Sequence, residues 1–159
     1  MRYATKDEAK DMKKFIEIAA EEAKKSTCKK SQRGVVIVSN GKIIGRGYNK
    51  PTIEKLCDPC IRENIKDNGR VELCSAIHAE QMAILDALKK CKNLEDSRMF
   101  HVAVKDGKIK FSEDTSCTVC SRIVLEAGIK DFVLLHKKGF AIYPADEFNK
   151  LSFDYFLKK

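Results

Sequence analysis

His78-Ala79-Glu80 and, far downstream, Cys117-Thr118-Val119-Cys120 are the residues in this chain whose types and spacing could do chemistry. His78, Cys117 and Cys120 supply three ligands of the kind zinc prefers, and Glu80 supplies a carboxylate beside them. A catalytic zinc usually takes three protein ligands and leaves the fourth position to water, whereas a structural site is normally four-ligand and closed. Zinc would lower the pKa of that water to roughly 7, making a hydrolytic nucleophile available at neutral pH. Glu80, two residues beyond a ligand, is placed to move protons without ligating, a general acid/base role. The competing reading is a zinc knuckle that only holds the fold, and the three-plus-carboxylate set argues against it.

Both motifs fall at expected helix starts. Ala76 to Lys90 reads as a helix with Ala79, Met82, Ala83, Leu85 and Ala87 largely apolar, and Cys117 to Ala127 reads as a helix that Gly128 ends. Two helix N-termini would converge on one point, each bringing positive dipole and free N–H groups. Thiols there ionise more easily, and thiolate is the metal-binding form.

The other elements must hold those two starts together. Thr5 to Lys25 shows helical spacing through Met12, Phe15, Ile16, Ala19, Ala20 and Ala23, and Thr5 with Glu8 makes a capping box. Val35 to Val38 is a β-branched strand, Asn40-Gly41 a tight-turn signal, and Lys42 to Tyr48 the returning strand of a hairpin. Asn49 to Ser75 is a long irregular stretch of the kind that is functional or pinned. Met99 to Val104 and Asp131 to Leu135 read as strands, and the tail from Asp146 to Leu157 as a mixed helix. Strand and helix alternate in the second half, which implies parallel pairing through crossover helices. The expectation is one domain over residues 1–159, a three-layer α/β/α sandwich with a central mixed sheet.

Composition narrows the partners. The chain has 159 residues, 43% of them hydrophobic, a length that suits one compact core. No apolar run approaches membrane-spanning length, and Met1 to Asp7 lacks the apolar core of a secretory signal. A cytoplasmic protein with no membrane partner is expected, its seven cysteines serving as thiols or ligands rather than disulfides. The net charge of +8 suits a phosphorylated or polyanionic partner, although many lysines sit beside glutamates, as in Glu21-Glu22-Ala23-Lys24-Lys25.

The order H-x-E then C-x-x-C is that of the zinc-dependent nucleobase deaminases. From about Phe15 to Leu135 the chain resembles the cytidine and deoxycytidylate deaminase superfamily, closest to its dCMP deaminase branch. Ser26-Thr27-Cys28 with Gly34-Val35-Val36-Ile37-Val38, Gly47-Tyr48-Asn49-Lys50-Pro51, and Cys57 and Cys60 with Arg62-Glu63 are similar to that branch's motifs. Glu72 to Gln81 is the most specific stretch, and Ala127-Gly128-Ile129 matches the end of the last helix. The resemblance implies zinc on His78, Cys117 and Cys120, Glu80 as proton shuttle, and deamination of dCMP to dUMP. It implies that Asn49, Ala79, Thr27 and Ser116 meet the substrate, and that the protein is a homo-oligomer.

Three positions depart from the pattern: Ser116 replaces a proline, Met82 stands where the branch has asparagine and the tRNA adenosine deaminases have methionine, and Lys50 replaces a glycine. Lys25, Lys29 and Lys50 are candidates for a substrate 5′-phosphate.

Cys28, Cys57, Cys60 and Cys74 are four further soft ligands, enough for a closed structural zinc that would order the long loop. The alternative is buried or free thiols, the reading taken for Cys91. Two competing functions stand beside the small-molecule enzyme. One is an editing deaminase acting on adenosine in tRNA or cytosine in RNA or single-stranded DNA, favoured by Met82 and the net charge. The basic-aromatic tail, with Phe148, Phe153, Tyr155, Phe156, Lys158 and Lys159, is its nearest stacking platform; a helix packed on the core is the preferred reading of that tail. The other is a non-catalytic zinc-binding scaffold.

Overall fold

The computed structural model describes residues 1–63, 65, 73–90, 93–113, 115 and 117–157. In chain order the first elements are β1 (Arg2–Tyr3), α1 (Lys6–Lys24), β2 (Gln32–Ser39), β3 (Lys42–Tyr48), β4 (Lys50–Pro51) and β5 (Ala76–Ile77). Then come α2 (Ala79–Lys90), β6 (Arg98–Lys105), β7 (Lys108–Lys110), α3 (Thr118–Glu126), β8 (Asp131–His136), β9 (Gly139–Pro144) and α4 (Ala145–Leu157).

Local chemistry sets the first three large elements. Thr5 caps α1: its hydroxyl accepts from the Glu8 N–H at 3.3 Å, and the Glu8 carboxylate accepts from the Thr5 N–H at 2.9 Å. Asn40 and Gly41 both take left-handed φ, 49° and 72°, which gives the two-residue turn that closes β2 onto β3.

The main sheet runs β1-β9-β8-β6-β2-β3, with β7 added to the far end of β6. β6 and β8 pair in parallel and α3 is their crossover; the other pairings are antiparallel. Side-chain alternation splits the core into two layers. Val36, Phe100, Val102, Val133 and Ile142 face α1, where Met12, Phe15, Ile16 and Ala19 are buried. Val35, Ile37, Met99, Phe132 and Leu134 face α2, α3 and α4, where Ala83, Ala87, Val124 and Phe148 are buried. β2 is thus covered on both faces, the physical reason its sequence is a continuous apolar run. The result is the α/β/α sandwich around a mixed sheet that strand and helix order implied.

Several boundaries differ from the expectation. The second helix begins at Ala79, not Ala76, because Ala76 and Ile77 pair with Pro51 and Lys50 in a short sheet. Among the described residues, the long stretch after Asn49 holds β4 and a 3-10 turn over Glu54–Leu56. β9 is a strand the sequence reading did not expect, and α4, the expected tail helix, packs on the core: the Phe148 ring stacks on Phe132 at 3.9 Å. Glu72, Cys91, Ser116, Lys158 and Lys159 lie outside the described residues. No helix among the described residues is long and apolar enough to cross a membrane.

Candidate metal centre and its cavity

His78 immediately precedes α2, and Ala79 and Glu80 are the helix's first residues. Two glycines on β3 let that helix come close. A Cβ on Gly47 would stand 2.2 Å from the Ala79 carbonyl oxygen, and one on Gly45 would stand 2.5 Å from that of Ala83. Glycine opposite alanine therefore presses the helix start onto the strand. The Gln81 side chain accepts from the His78 N–H at 3.0 Å and satisfies one open donor there.

Cys117 is the N-cap of α3, with φ −96° and ψ 92°, and its sulfur accepts from the Cys120 N–H at 3.3 Å. Ser121 ties the helix to α4 through the Asn149 side chain at 2.9 Å. The two helix starts meet as the sequence suggested. His78 Nδ1 lies 3.1 Å from Cys120 Sγ and 3.4 Å from Cys117 Sγ, and the three donor atoms all lie within 4.8 Å of one another. Ligands at zinc distances in a tetrahedron stand about 3.5–3.8 Å apart, so the trio fits that ion. Two sulfurs and one imidazole are also the donor types zinc selects.

The donors bias one another's protons. Hydrogen bonding to Cys120 and then to His78 pulls the Cys117 thiol down to about 5, against the effect of burial. Hydrogen bonding to Cys117 raises His78 to about 9. Cys120 moves the other way, well above the usual thiol range, because it donates to Cys117 and is buried. The sequence expectation of two readily ionised thiols therefore holds for Cys117 and not for Cys120 without a metal.

Glu80 is 7% exposed and projects toward this centre. Burial alone would raise its pKa; the charges that pull it below the ordinary value are those of His101 and His78 in their protonated forms, and that of Arg33. His101, on β6, places Nε2 3.8 Å from Glu80 Oε1. Burial lowers His101 to about 4, so its ring is neutral at neutral pH.

His78, Cys117, Glu80 and His101 line a cavity of about 180 Å³ whose wall also carries Asn49, Ser31, Lys30, Arg33 and Arg62. The Asn49 side chain is heavily engaged. Its Oδ1 accepts from the Arg33 N–H at 2.7 Å and the Ser26 hydroxyl at 2.9 Å, and its Nδ2 donates to the Ser31 carbonyl at 2.8 Å. One Nδ2 hydrogen is left for a ligand, so Asn49 first of all builds the wall. Ala79 lines the cavity at the helix start.

Other expected residues fall elsewhere. Thr27 is exposed and off the cavity wall, and its buried neighbour Ser26 holds Asn49 instead. Ser116 lies outside the described residues. Lys25 pairs with Glu22 at 2.8 Å and Lys29 with Asp58 at 2.6 Å, and neither they nor Lys50 line the cavity. The cations on the wall are Lys30, Arg33 and Arg62; the sequence reading did not single out the first two and named Arg62 only as part of a motif. Met82 turns to β3, where its sulfur accepts from the Tyr48 N–H at 3.4 Å. Cys28, Cys57, Cys60 and Cys74 all line the same cavity, but among the described residues only His78, Cys117 and Cys120 stand close enough to share one ion.

Residues 9–136 match the family model described as the cytidine and deoxycytidylate deaminase zinc-binding region. The chain is 31% identical over 124 residues to a deoxycytidylate deaminase of Schizosaccharomyces pombe, covering 75% of this chain and 35% of that protein. It is 28% identical over 122 residues to one of Saccharomyces cerevisiae, with the same coverage. The chain thus spans about a third of the length of these curated relatives. A crystal structure of dCMP deaminase from the cyanophage S-TIM5 in complex with dCMP and dUMP superimposes with a TM-score of 0.54 at 22% identity, over 81% of this chain and 82% of that one. Cytidine deaminase from Burkholderia pseudomallei gives 0.56 at 19% identity, over 86% and 94%. Both show the shared fold.

Proposed function

The chain belongs to the cytidine and deoxycytidylate deaminase family, and we propose that it is a zinc-dependent hydrolase converting dCMP to dUMP and ammonia. The observation that carries the reading is Glu80: a buried carboxylate in the first turn of α2, beside a three-donor site and facing a cavity. A closed structural site has no use for such a group.

Zinc held by His78, Cys117 and Cys120 would supply a hydrolytic nucleophile at neutral pH. Glu80 takes a proton from the attacking water and delivers it to the ring nitrogen of the cytosine. It then carries the water's second proton to the exocyclic amine, which leaves as ammonia while the carbonyl forms. In its carboxylate form it is ready to accept the first proton. Asn49 and the backbone of Ala79 hold the nucleoside, and the neutral wall of Phe132, Leu134 and Phe148 keeps the far side of the cavity apolar.

Arg33, Lys30 and Arg62 on the wall favour a nucleotide over a free nucleoside, because a phosphate is the partner three cations suit. We further infer a second, structural zinc on Cys28, Cys57, Cys60 and Cys74: the four thiols line one wall, and the metal would have to draw them together, because they do not stand within reach of one ion. Thiols that must stay reduced to bind metal fit the cytoplasm. Assembly with further copies of the chain is supported by Leu85, Leu88 and Leu125 on α2 and α3, which are exposed by 51%, 49% and 40%.

The test is ammonia release by zinc-loaded protein offered dCMP, CMP, deoxycytidine and cytidine in parallel. Turnover selective for dCMP supports the reading. No turnover on any monomer, with zinc bound, would transfer the function to RNA or single-stranded DNA.

A further inference from the structure

His101 is a polar ring in an apolar position. On the sheet it lies between Val35 of β2 and Leu134 of β8, and its side chain shares the face of Met99. The Phe132 ring stands 5.9 Å away, and the residue is 7% exposed. A hydrophobic side chain would satisfy every one of these neighbours, and burying an imidazole among them costs free energy unless its polar atoms are used. Nδ1 has no hydrogen-bond partner among the described residues and is shut off from solvent. Nε2 faces the Glu80 carboxylate at 3.8 Å.

The neutral ring has one proton to place. Set on Nδ1 it would be a buried N–H with nothing to accept it, and the lone pair on Nε2 would confront the carboxylate. Set on Nε2 it points at an anionic acceptor and leaves only a lone pair unpaired, the less costly orphan. We propose that His101 is a positioning residue for Glu80, donating from Nε2 to hold the carboxylate on the cavity side of the helix start. At 3.8 Å the pair stands beyond hydrogen-bond distance, as catalytic contacts often do before substrate binds. The inference rests on Glu80 acting as the proton carrier. Its sequence signal is the one ionisable residue inside the apolar run Met99 to Val104.

The chain has three histidines, so their nitrogen resonances can be assigned by substitution. In zinc-loaded protein labelled with ¹⁵N-histidine, His101 should be neutral with its proton on Nε2. Glu80→Gln should move that proton upfield, because an amide oxygen is a weaker acceptor than a carboxylate. A proton on Nδ1, or a resonance indifferent to Glu80→Gln, would overturn the proposal whether or not the protein turns over any substrate. In turnover of dCMP, His101→Leu should keep its zinc and its cooperative unfolding and leave KM within about twofold. Its kcat should fall by about 10- to 100-fold, the usual effect of losing a group that orients a reacting one, and His101→Gln should recover much of it. An unchanged kcat in His101→Leu, with wild-type protein active, would overturn the proposal. An inactive wild type would instead refute the deaminase reading and leave the NMR result to decide the placement of the proton.

Discussion

His78 Nδ1 and Cys120 Sγ stand 3.1 Å apart although 42 residues separate them in sequence. That contact joins the start of α2 to the start of α3, and the whole centre depends on it. In the metal-free protein it is also a store of protons: His78 keeps one up to about pH 9 because it bonds to Cys117, and Cys120 keeps another.

Zinc must displace those protons, so its affinity should rise with pH. The sign follows from His78: its proton is present below about 9 and is lost above, so each unit of acidification strengthens the competitor. Chelator competition should show affinity rising by about tenfold per pH unit for each proton displaced, with matching proton release to the buffer. An affinity flat between about pH 6 and 8 would contradict the proton distribution.

The four remaining cysteines give a count. Protein saturated with zinc and freed of excess should carry two ions per chain by elemental analysis, one on the His78 centre and one on Cys28, Cys57, Cys60 and Cys74. A single ion per chain would remove the structural site and leave those residues as buried or free thiols.

Gly47 tests how α2 is seated. A methyl group there would meet the Ala79 carbonyl at 2.2 Å and the Ala83 nitrogen at 2.5 Å, both backbone atoms that cannot turn aside. Gly47→Ala should cost about 1–3 kcal/mol in chemical denaturation, the usual range for overpacking, and should weaken zinc retention because His78 moves with the helix. An unchanged denaturation midpoint would show that the strand and helix are less closely pressed.

Arg33 tests the nucleotide reading. It lines the cavity and holds its guanidinium through Nε on the Ser31 hydroxyl at 2.8 Å. Arg33→Met should raise KM for dCMP about tenfold or more, the loss expected for a charged hydrogen bond of about 1.5–3 kcal/mol, and should spare deoxycytidine. Equal losses on both substrates would assign Arg33 to the field around Glu80 instead of to a phosphate.

Much of the site is legible in the sequence where the physics is local. The Thr5–Glu8 capping box, the Asn40-Gly41 turn and the start of α3 each rest on contacts within a few residues. The H-x-E and C-x-x-C motifs are legible as donor sets, although the contact that joins them spans 42 residues of sequence. What is not legible depends on distant chain. Ala76 and Ile77 look like the beginning of a helix until β4 pairs with them. β9 follows Lys137-Lys138, a turn with no Asn-Gly or Asp-Gly signal, and only its pairing with β8 and β1 makes it a strand. The cavity cations are decided by which way the stretch from Lys29 to Arg33 faces, and Asp58 takes Lys29 away. His101 carries meaning only once Glu80 stands above it.

Glu80→Gln is the most direct measurement of the central claim, because it alters the proton carrier and leaves the three zinc donors untouched. The expected result is a protein with wild-type zinc content and unfolding behaviour that releases ammonia from dCMP at least about 10²-fold more slowly, the lower end of the contribution of a general acid/base. Undiminished turnover by the zinc-loaded variant would contradict the mechanism at its centre.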